Sequence, residues 1–134
     1  MREILFRGKD AESGFWCYGD LSFDREGNPH IRFWAHNGYL VREVDSKTVG
    51  QFTVLVDKNK KRIFEGDIVF DGQRKSVAYV AYLQQECGYV LVYQGYDYRL
   101  GHRARGCFHE HDPWLEVIGN IYDNPELLEV NKDA

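Results

Sequence analysis

Long apolar runs, a disulfide framework and a secretion signal are all missing from this sequence of 134 residues. No segment approaches the roughly 18 consecutive apolar residues of a membrane helix, and the start, Met1-Arg2-Glu3, lacks the apolar core of a signal peptide. The three cysteines, Cys17, Cys87 and Cys107, fit neither a zinc ribbon nor a secreted disulfide scaffold. We therefore expect a cytoplasmic protein with free thiols and no membrane contact.

Catalytic motifs are equally scarce. No serine stands in a Gly-x-Ser-x-Gly turn, and no glycine-rich motif is suited to holding a phosphate. The sequence therefore predicts a protein that is not an enzyme and needs no cofactor. With 17 Lys+Arg against 21 Asp+Glu, the net charge of −4 argues against nucleic-acid affinity driven by the whole protein, although a local basic patch would still permit binding.

Apolar residues are present in quantity and alternate with a period of two. Hydrophobic residues make up 43% of the chain and aromatic residues 15%, which is enough for a folded core. Because the alternation runs almost from end to end, we expect a single all-β domain over residues 1–134. Glycines inside the strand patterns favour a strongly bent antiparallel sheet that forms a small barrel or two packed half-barrels.

Turn-forming residues divide the chain into short strands. Asn37-Gly38 predicts a hairpin, because both residues tolerate positive φ. Segment 94–113 is rich in glycine and arginine, which predicts a long loop. Asn124 as a cap and Pro125 in the first helical position predict a short C-terminal helix. The predicted strands cover residues 4–7, 15–23, 30–36, 39–44, 49–56, 62–64, 68–70, 76–83, 89–93 and 114–122.

Five blocks of sequence resemble the YopX-like proteins of bacteriophages and prophages. They are REI and FRGK within 2–9, GFW and YGDL within 14–21, TVGQFT and DKNK within 48–60, IFEGDIV at 63–69, and EVIGNIY with NPEL within 116–127. The resemblance implies a mostly β phage or prophage gene product with no established activity and no catalytic residues to carry over. Lys60 stands where the turn of that family commonly has Gly, which predicts a different turn type or a longer loop.

Carboxylates beside glycines have two interpretations. Asp20 and Asp67 each neighbour a glycine, and we expect their side chains to accept turn amides, as Asp commonly does. The alternative is that Glu65 and Asp67 share a strand face as an acid pair or as ligands of a divalent cation.

A zinc site is one hypothesis for the long loop. Cys107, His109 and His111 are spaced two apart, so in an extended segment they would point to one face as three ligands of a tetrahedral zinc. The fourth ligand would be His102, Asp112, His36 or water. The alternative is a polar loop end with exposed histidines.

Nucleic-acid binding is the second hypothesis. After residue 93, tyrosines and arginines lie close together in the sequence, and lysines cluster at a predicted hairpin tip. Aromatic rings stack on bases, and cations bind phosphates. Lysines at such a tip also serve simply to keep it solvated. The candidate residues are Tyr96, Tyr98, Arg99, Arg103, Arg105, Lys60 and Lys61.

A protein-interaction module is the primary hypothesis. Trp16, Trp34 and Trp114 cannot all be assumed buried, and exposed aromatic surface is what interfaces use. We therefore expect a protein partner or self-association into a homo-oligomer, with single-stranded nucleic acid as the alternative partner.

Overall fold

The computed structural model describes residues 1–100 and 112–133, and these residues form antiparallel strands and short 3-10 helices. The all-β prediction is confirmed. The sheets do not close into a barrel, so the prediction of a small barrel is wrong. The strands are β1 Phe6–Lys9, β2 Trp16–Phe23, β3 Pro29–Ala35, β4 Gly38–Glu43, β5 Gly50–Val56, β6 Arg62–Phe64, β7 Asp67–Asp71, β8 Ser76–Leu83, β9 Gly88–Tyr93, β10 Tyr96–Arg99 and β11 Leu115–Asn120.

The chain divides into two compact units, residues 1–52 and 53–134, with the boundary inside β5. Whether the two units unfold together as the single expected domain stays a prediction. In the part of the chain that the structure describes, no helix is both long enough and apolar enough to cross a membrane.

The first unit is a sheet with the strand order β4-β3-β2-β1-β5. The first half of β2 pairs with β1 and its second half with β3, so the pairing partner changes between Gly19 and Asp20. Gly19 lies at this point, where a Cβ atom would come within 2.0 Å of the Arg32 carbonyl oxygen. Only glycine fits there, and the strong bend of the sheet stays a prediction.

The β3–β4 hairpin is confirmed, but its turn lies one residue earlier than predicted. Ala35 pairs with Gly38, so the two turn residues are His36 and Asn37. The positive φ, 55°, belongs to His36. A single positive φ at the first turn position satisfies the twist of a hairpin, so Gly38 is free to begin β4.

The second unit contains a five-stranded sheet with the order β10-β9-β8-β7-β11, and β6 lies beside the second half of β5. The β5–β6 hairpin contributes Leu55 and Ile63 to the apolar core of this sheet. The buried members of this core are Ile63, Val69, Ala78, Val80, Leu91, Tyr93, Leu100 and Leu115.

Two segments of the second unit differ from prediction. Residues 96–99 form strand β10 rather than part of a long loop, because Gly95, at φ 94°, turns the chain back onto β9. The predicted C-terminal helix is present as a 3-10 helix over Pro125–Asp133. Asn124 does not cap this helix in the expected way, since its Oδ1 accepts the Asn120 amide at 3.2 Å.

Candidate interaction surfaces

Exposed rings lie on one face of the β3–β4 hairpin in the first unit. Trp34 is paired with Tyr39, and Arg32 with Val41, so these four side chains project to the same side of the sheet. Trp34 is 63% exposed and Tyr39 60% exposed. We call Arg32, Trp34, Tyr39 and Val41 the aromatic hairpin face.

The rings of the aromatic hairpin face are held in defined positions although they are exposed. Trp34 and Tyr39 meet edge to face, with ring centroids 5.0 Å apart and planes at 81°. The Arg32 guanidinium lies 4.6 Å from the centre of the Tyr39 ring and donates a hydrogen bond to Asp20 Oδ2 at 2.9 Å. This surface is therefore organised in advance of any contact.

A second group of rings lies at an edge of the second unit's sheet. Tyr96 stacks on Tyr93 with centroids 4.9 Å apart, and the Arg74 guanidinium lies 4.1 Å from the centre of the Tyr98 ring. Asp71 anchors the group, because its Oδ2 accepts the Tyr93 hydroxyl at 2.6 Å and Arg74 Nη1 at 3.3 Å. We call Arg74, Tyr93, Tyr96 and Tyr98 the tyrosine–arginine cluster.

Arg74 keeps its charge in this cluster. Partial burial acts to lower the pKa of the guanidinium, but the hydrogen bond to Asp71 and the electrostatic attraction of Tyr93, Asp71 and Tyr98 outweigh it, so the pKa is raised. The cluster therefore presents a fixed cation against an aromatic face.

The structure places the candidate nucleic-acid residues in different surroundings. Tyr96 and Tyr98 are exposed on β10. Arg99 forms an ion pair with Glu86, and both line a groove of about 540 Å³, so a carboxylate already compensates this guanidinium. Arg103 and Arg105 lie outside the described residues.

The candidate lysines Lys60 and Lys61 are exposed in the β5–β6 turn. Lys60 has φ 65°, and its amide donates to the Asp57 carbonyl at 2.9 Å. This is the conformation in which such a turn usually carries glycine, so the expectation of another turn type or a longer loop is wrong.

The lysines and the tyrosines lie on different elements of the second unit. The lysine turn is attached to β11, because Val117 donates its amide to Asp57 Oδ2 at 2.8 Å. Tyr96 and Tyr98 lie on β10, and β10 and β11 are the two edge strands of the five-stranded sheet. Whether the lysines and the tyrosines act together as one nucleic-acid site stays a prediction.

Buried carboxylates in the second unit serve the backbone. Asp57, Asp67, Asp71 and Asp112 are each at most 2% exposed and accept amide hydrogens in turns. The expected role of Asp67 is confirmed. Asp20 instead forms an exposed ion pair with Arg32, so the expectation for Asp20 is wrong. Of these four carboxylates, the sequence predicts a turn role only for Asp67. Asp occurs in both buried and exposed turns, so the sequence does not distinguish the other three.

The predicted zinc ligands Cys107, His109 and His111 lie outside the described residues, and that site stays a prediction. Among residues 1–100 and 112–133, no group of three His, Cys, Asp or Glu side chains could hold a metal ion. Cys17 and Cys87 are free thiols, and burial, followed by the charge of Asp10, raises the pKa of Cys17.

The fold defines a small, antiparallel all-β protein with ordered aromatic surfaces. The family model described as YopX protein matches residues 5–129, and the chain belongs to the YopX family. Among solved structures, the crystal structure of protein EF1440 from Enterococcus faecalis aligns with a TM-score of 0.59 and 22% identity, covering 96% of this chain and 99% of that one. That similarity shows a shared fold. No curated protein matches the chain.

Proposed function

We propose that this YopX-family protein is a phage or prophage accessory protein that works in the cytoplasm as a non-enzymatic interaction module. Its partner is another protein chain, in the first place a second copy of itself. The observation that carries the proposal is the ordered Trp34–Tyr39 pair, exposed on the hairpin at the edge of the first unit's sheet.

The aromatic hairpin face has the composition of an interface centre. Tyr, Trp and Arg dominate the binding energy of protein interfaces, and this face combines all three types. Because Arg32, itself hydrogen-bonded to Asp20, already lies over the Tyr39 ring, little side-chain freedom remains to be lost on binding. Association through this face therefore has both a driving force and a low entropic cost.

The test is sedimentation equilibrium over a wide range of protein concentration. We expect the wild type to self-associate, and Trp34→Ser or Tyr39→Ser to weaken association by at least about tenfold, or about 1.4 kcal/mol. The matched control is Trp114→Ser, which removes a ring that is 47% exposed in the second unit and should leave association unchanged. A wild type that remains monomeric throughout would contradict the proposal.

A second candidate function is binding of single-stranded nucleic acid by the tyrosine–arginine cluster. The observation that favours it is that Tyr96 and Tyr98 are exposed, with Arg74 fixed against the Tyr98 ring. Exposed rings stack on bases of any sequence, and a neighbouring guanidinium supports them.

Fluorescence anisotropy with a labelled single-stranded oligonucleotide tests this candidate. Binding should weaken as salt rises from about 50 mM to about 200 mM, and Tyr96→Ala and Tyr98→Ala should each reduce it by about tenfold or more. Lys60→Glu, in the β5–β6 turn, is the control for a general change of charge and should have the smaller effect. Absent or salt-independent binding would eliminate the candidate.

A further inference from the structure

The backbone of β4 offers hydrogen-bonding groups on its outer side. The Val44 amide donates to Pro29 of β3 at 3.0 Å, so alternate residues of β4, counted from Val44, face β3. The residues between them, Tyr39, Val41 and Glu43, turn their amides and carbonyls away from β3. β4 is the outermost strand of this sheet.

Part of this outer side is already occupied. The Glu43 carbonyl accepts the Ala11 amide at 2.9 Å, which excludes it from pairing with another strand. The Val41 carbonyl accepts Arg42 Nη1 of its own chain at 3.3 Å, an exposed contact that an incoming amide can replace. Tyr39 and Val41 therefore define the segment at which another strand can add.

We propose that a second copy of this chain adds at that segment, so that two β4 strands pair antiparallel with Leu40 on the two-fold axis. This inference rests on the proposed function and specifies how the self-association occurs. In this register Tyr39 of each copy exchanges two hydrogen bonds with Val41 of the other, four in total. Leu40 then lies directly opposite Leu40 of the second copy.

Registers centred on Val41 or Arg42 are less favourable. An axis at Val41 would pair Tyr39 with Glu43, whose carbonyl is occupied. An axis at Arg42 would place two guanidinium groups opposite each other, and like charges in that position are destabilising. With the axis at Leu40, Arg42 lies opposite Gly38, which has no side chain to clash with it.

Side-chain chemistry supports the same register. Tyr39 and Val41 project to one side of the sheet, so each Tyr39 ring packs beside Val41 of the second copy and joins the two aromatic hairpin faces. On the other side the two Leu40 side chains meet, and each is 39% exposed in the single chain. Both sides of the new strand pair therefore bury apolar surface.

A cysteine scan of β4 in the full-length chain tests the register. Leu40→Cys, Val41→Cys and Arg42→Cys are each made in a background in which Cys17, Cys87 and Cys107 are changed to Ser. Directly opposed residues at a non-hydrogen-bonded position have Cα atoms about 4.5 Å apart, within disulfide range. We expect Leu40→Cys to form a disulfide-linked dimer at least tenfold faster than the other two variants.

The alternative outcomes are distinct. Faster cross-linking at Val41 or Arg42 would overturn the Leu40 register. Self-association without cross-linking at any of the three positions would overturn the proposed β4 pairing while leaving the proposed function in place. A monomeric wild type in sedimentation would overturn both.

Val41→Pro gives an independent test, because it removes an amide that faces outward and is not used to pair with β3. We expect association to weaken at least tenfold while circular dichroism and the monomer's sedimentation coefficient stay unchanged. Unchanged association of a folded Val41→Pro protein would contradict the inference.

Discussion

The two units of this protein use similar strand patterns for opposite purposes. In the second unit, alternating residues of β8 and β9 enter an apolar core, where Ala78 and Leu91 are fully buried. In the first unit, β4 buries none of its six residues, and only a few apolar side chains, such as Ile31 and Val44, are hidden. The comparison shows that apolar alternation specifies a strand without specifying whether its apolar face is covered.

The turn aspartates of the two units also differ in how deeply they are buried. Asp57, Asp71 and Asp112 in the second unit are buried and bind backbone amides. In the first unit, Asp10 and Asp24 serve similar amides in exposed turns. We infer that the second unit supplies most of the stability and the first unit presents the surface for association.

Leu91→Ala should have the largest effect on stability. Leu91 is completely buried, and truncating such a side chain removes apolar contacts and leaves a cavity, which lowers the free energy of unfolding by about 2–5 kcal/mol. Tyr39→Ala in the first unit should lower it by less than about 1 kcal/mol. Urea denaturation of both variants checks this difference, and equal losses would break the comparison between the units.

The same denaturation experiment tests the single-domain expectation. If the units unfold together, far-ultraviolet circular dichroism and the fluorescence of Trp16 and Trp34 should report one coincident transition. Two separated transitions would show that the units are independent domains.

Asp57→Ala should have the next largest effect. The Asp57 carboxylate accepts the amides of Asn59, Lys61 and Val117, all within 2.9 Å, and its loss would leave polar groups in a buried region without this acceptor. We expect a loss of about 3 kcal/mol. The control, Asp20→Ala, breaks an exposed ion pair and should lower stability by no more than about 1 kcal/mol.

Lys60→Gly should stabilise the protein. Lys60 occupies the left-handed region at φ 65°, which is unfavourable for residues with a Cβ by about 1–2 kcal/mol. Glycine removes that strain but is more flexible in the unfolded chain, so we expect a net gain of about 0.5–1 kcal/mol. The control is Lys58→Gly, because Lys58 lies in the same turn but does not have a positive φ, and this change should not raise the stability. A destabilised Lys60→Gly variant would contradict the turn geometry.

The smallest expected effect is a loosening of the first unit's turns in acid. Amide hydrogen bonds from Glu12 and Ser13 lower the pKa of Asp10 below the ordinary 3.8. A lowered pKa stabilises the turn above the ordinary value, and that stabilisation is lost as the pH falls through the folded-state pKa. Hydrogen exchange at Glu12 and Ser13, corrected for intrinsic rates, should accelerate as the pH falls below the ordinary pKa of 3.8.

Asp10→Asn provides the control for this pH effect, because the amide oxygen remains an acceptor but the group no longer titrates. Exchange at the same two amides in Asp10→Asn should vary less with pH than in the wild type. An equal pH response in both proteins would assign the effect to another group.

The strands could be predicted from sequence where local signals agree. Alternation located most strands, and the β3–β4 hairpin followed from Asn37-Gly38, although the positive φ belongs to His36. Strand β10 differs from the predicted loop because Gly95, one of the glycines that indicate a loop, closes a tight turn. Val54, inside β5 at φ 79°, could not be foreseen either, since β-branched residues rarely adopt that conformation.

The candidate surfaces were predictable in composition but not in arrangement. The sequence identified Trp34 as a ring that need not be buried, yet its contact with Tyr39 depends on hairpin register. Arg99 is a candidate because of its charge, whereas its pairing with Glu86 depends on how β10 folds back onto β9. Properties that arise from three-dimensional neighbours lie beyond a single sequence.

Concentration-dependent hydrogen exchange is the most direct measurement of the central claim, that the first unit displays β4 for association. The Tyr39 and Val41 amides face outward, so they should exchange rapidly in dilute protein and become at least about tenfold slower at high concentration. Amides of β9, which are bonded within the sheet, should not change. Equal exchange of Tyr39 and Val41 at both concentrations, or new protection confined to β10, would contradict the account.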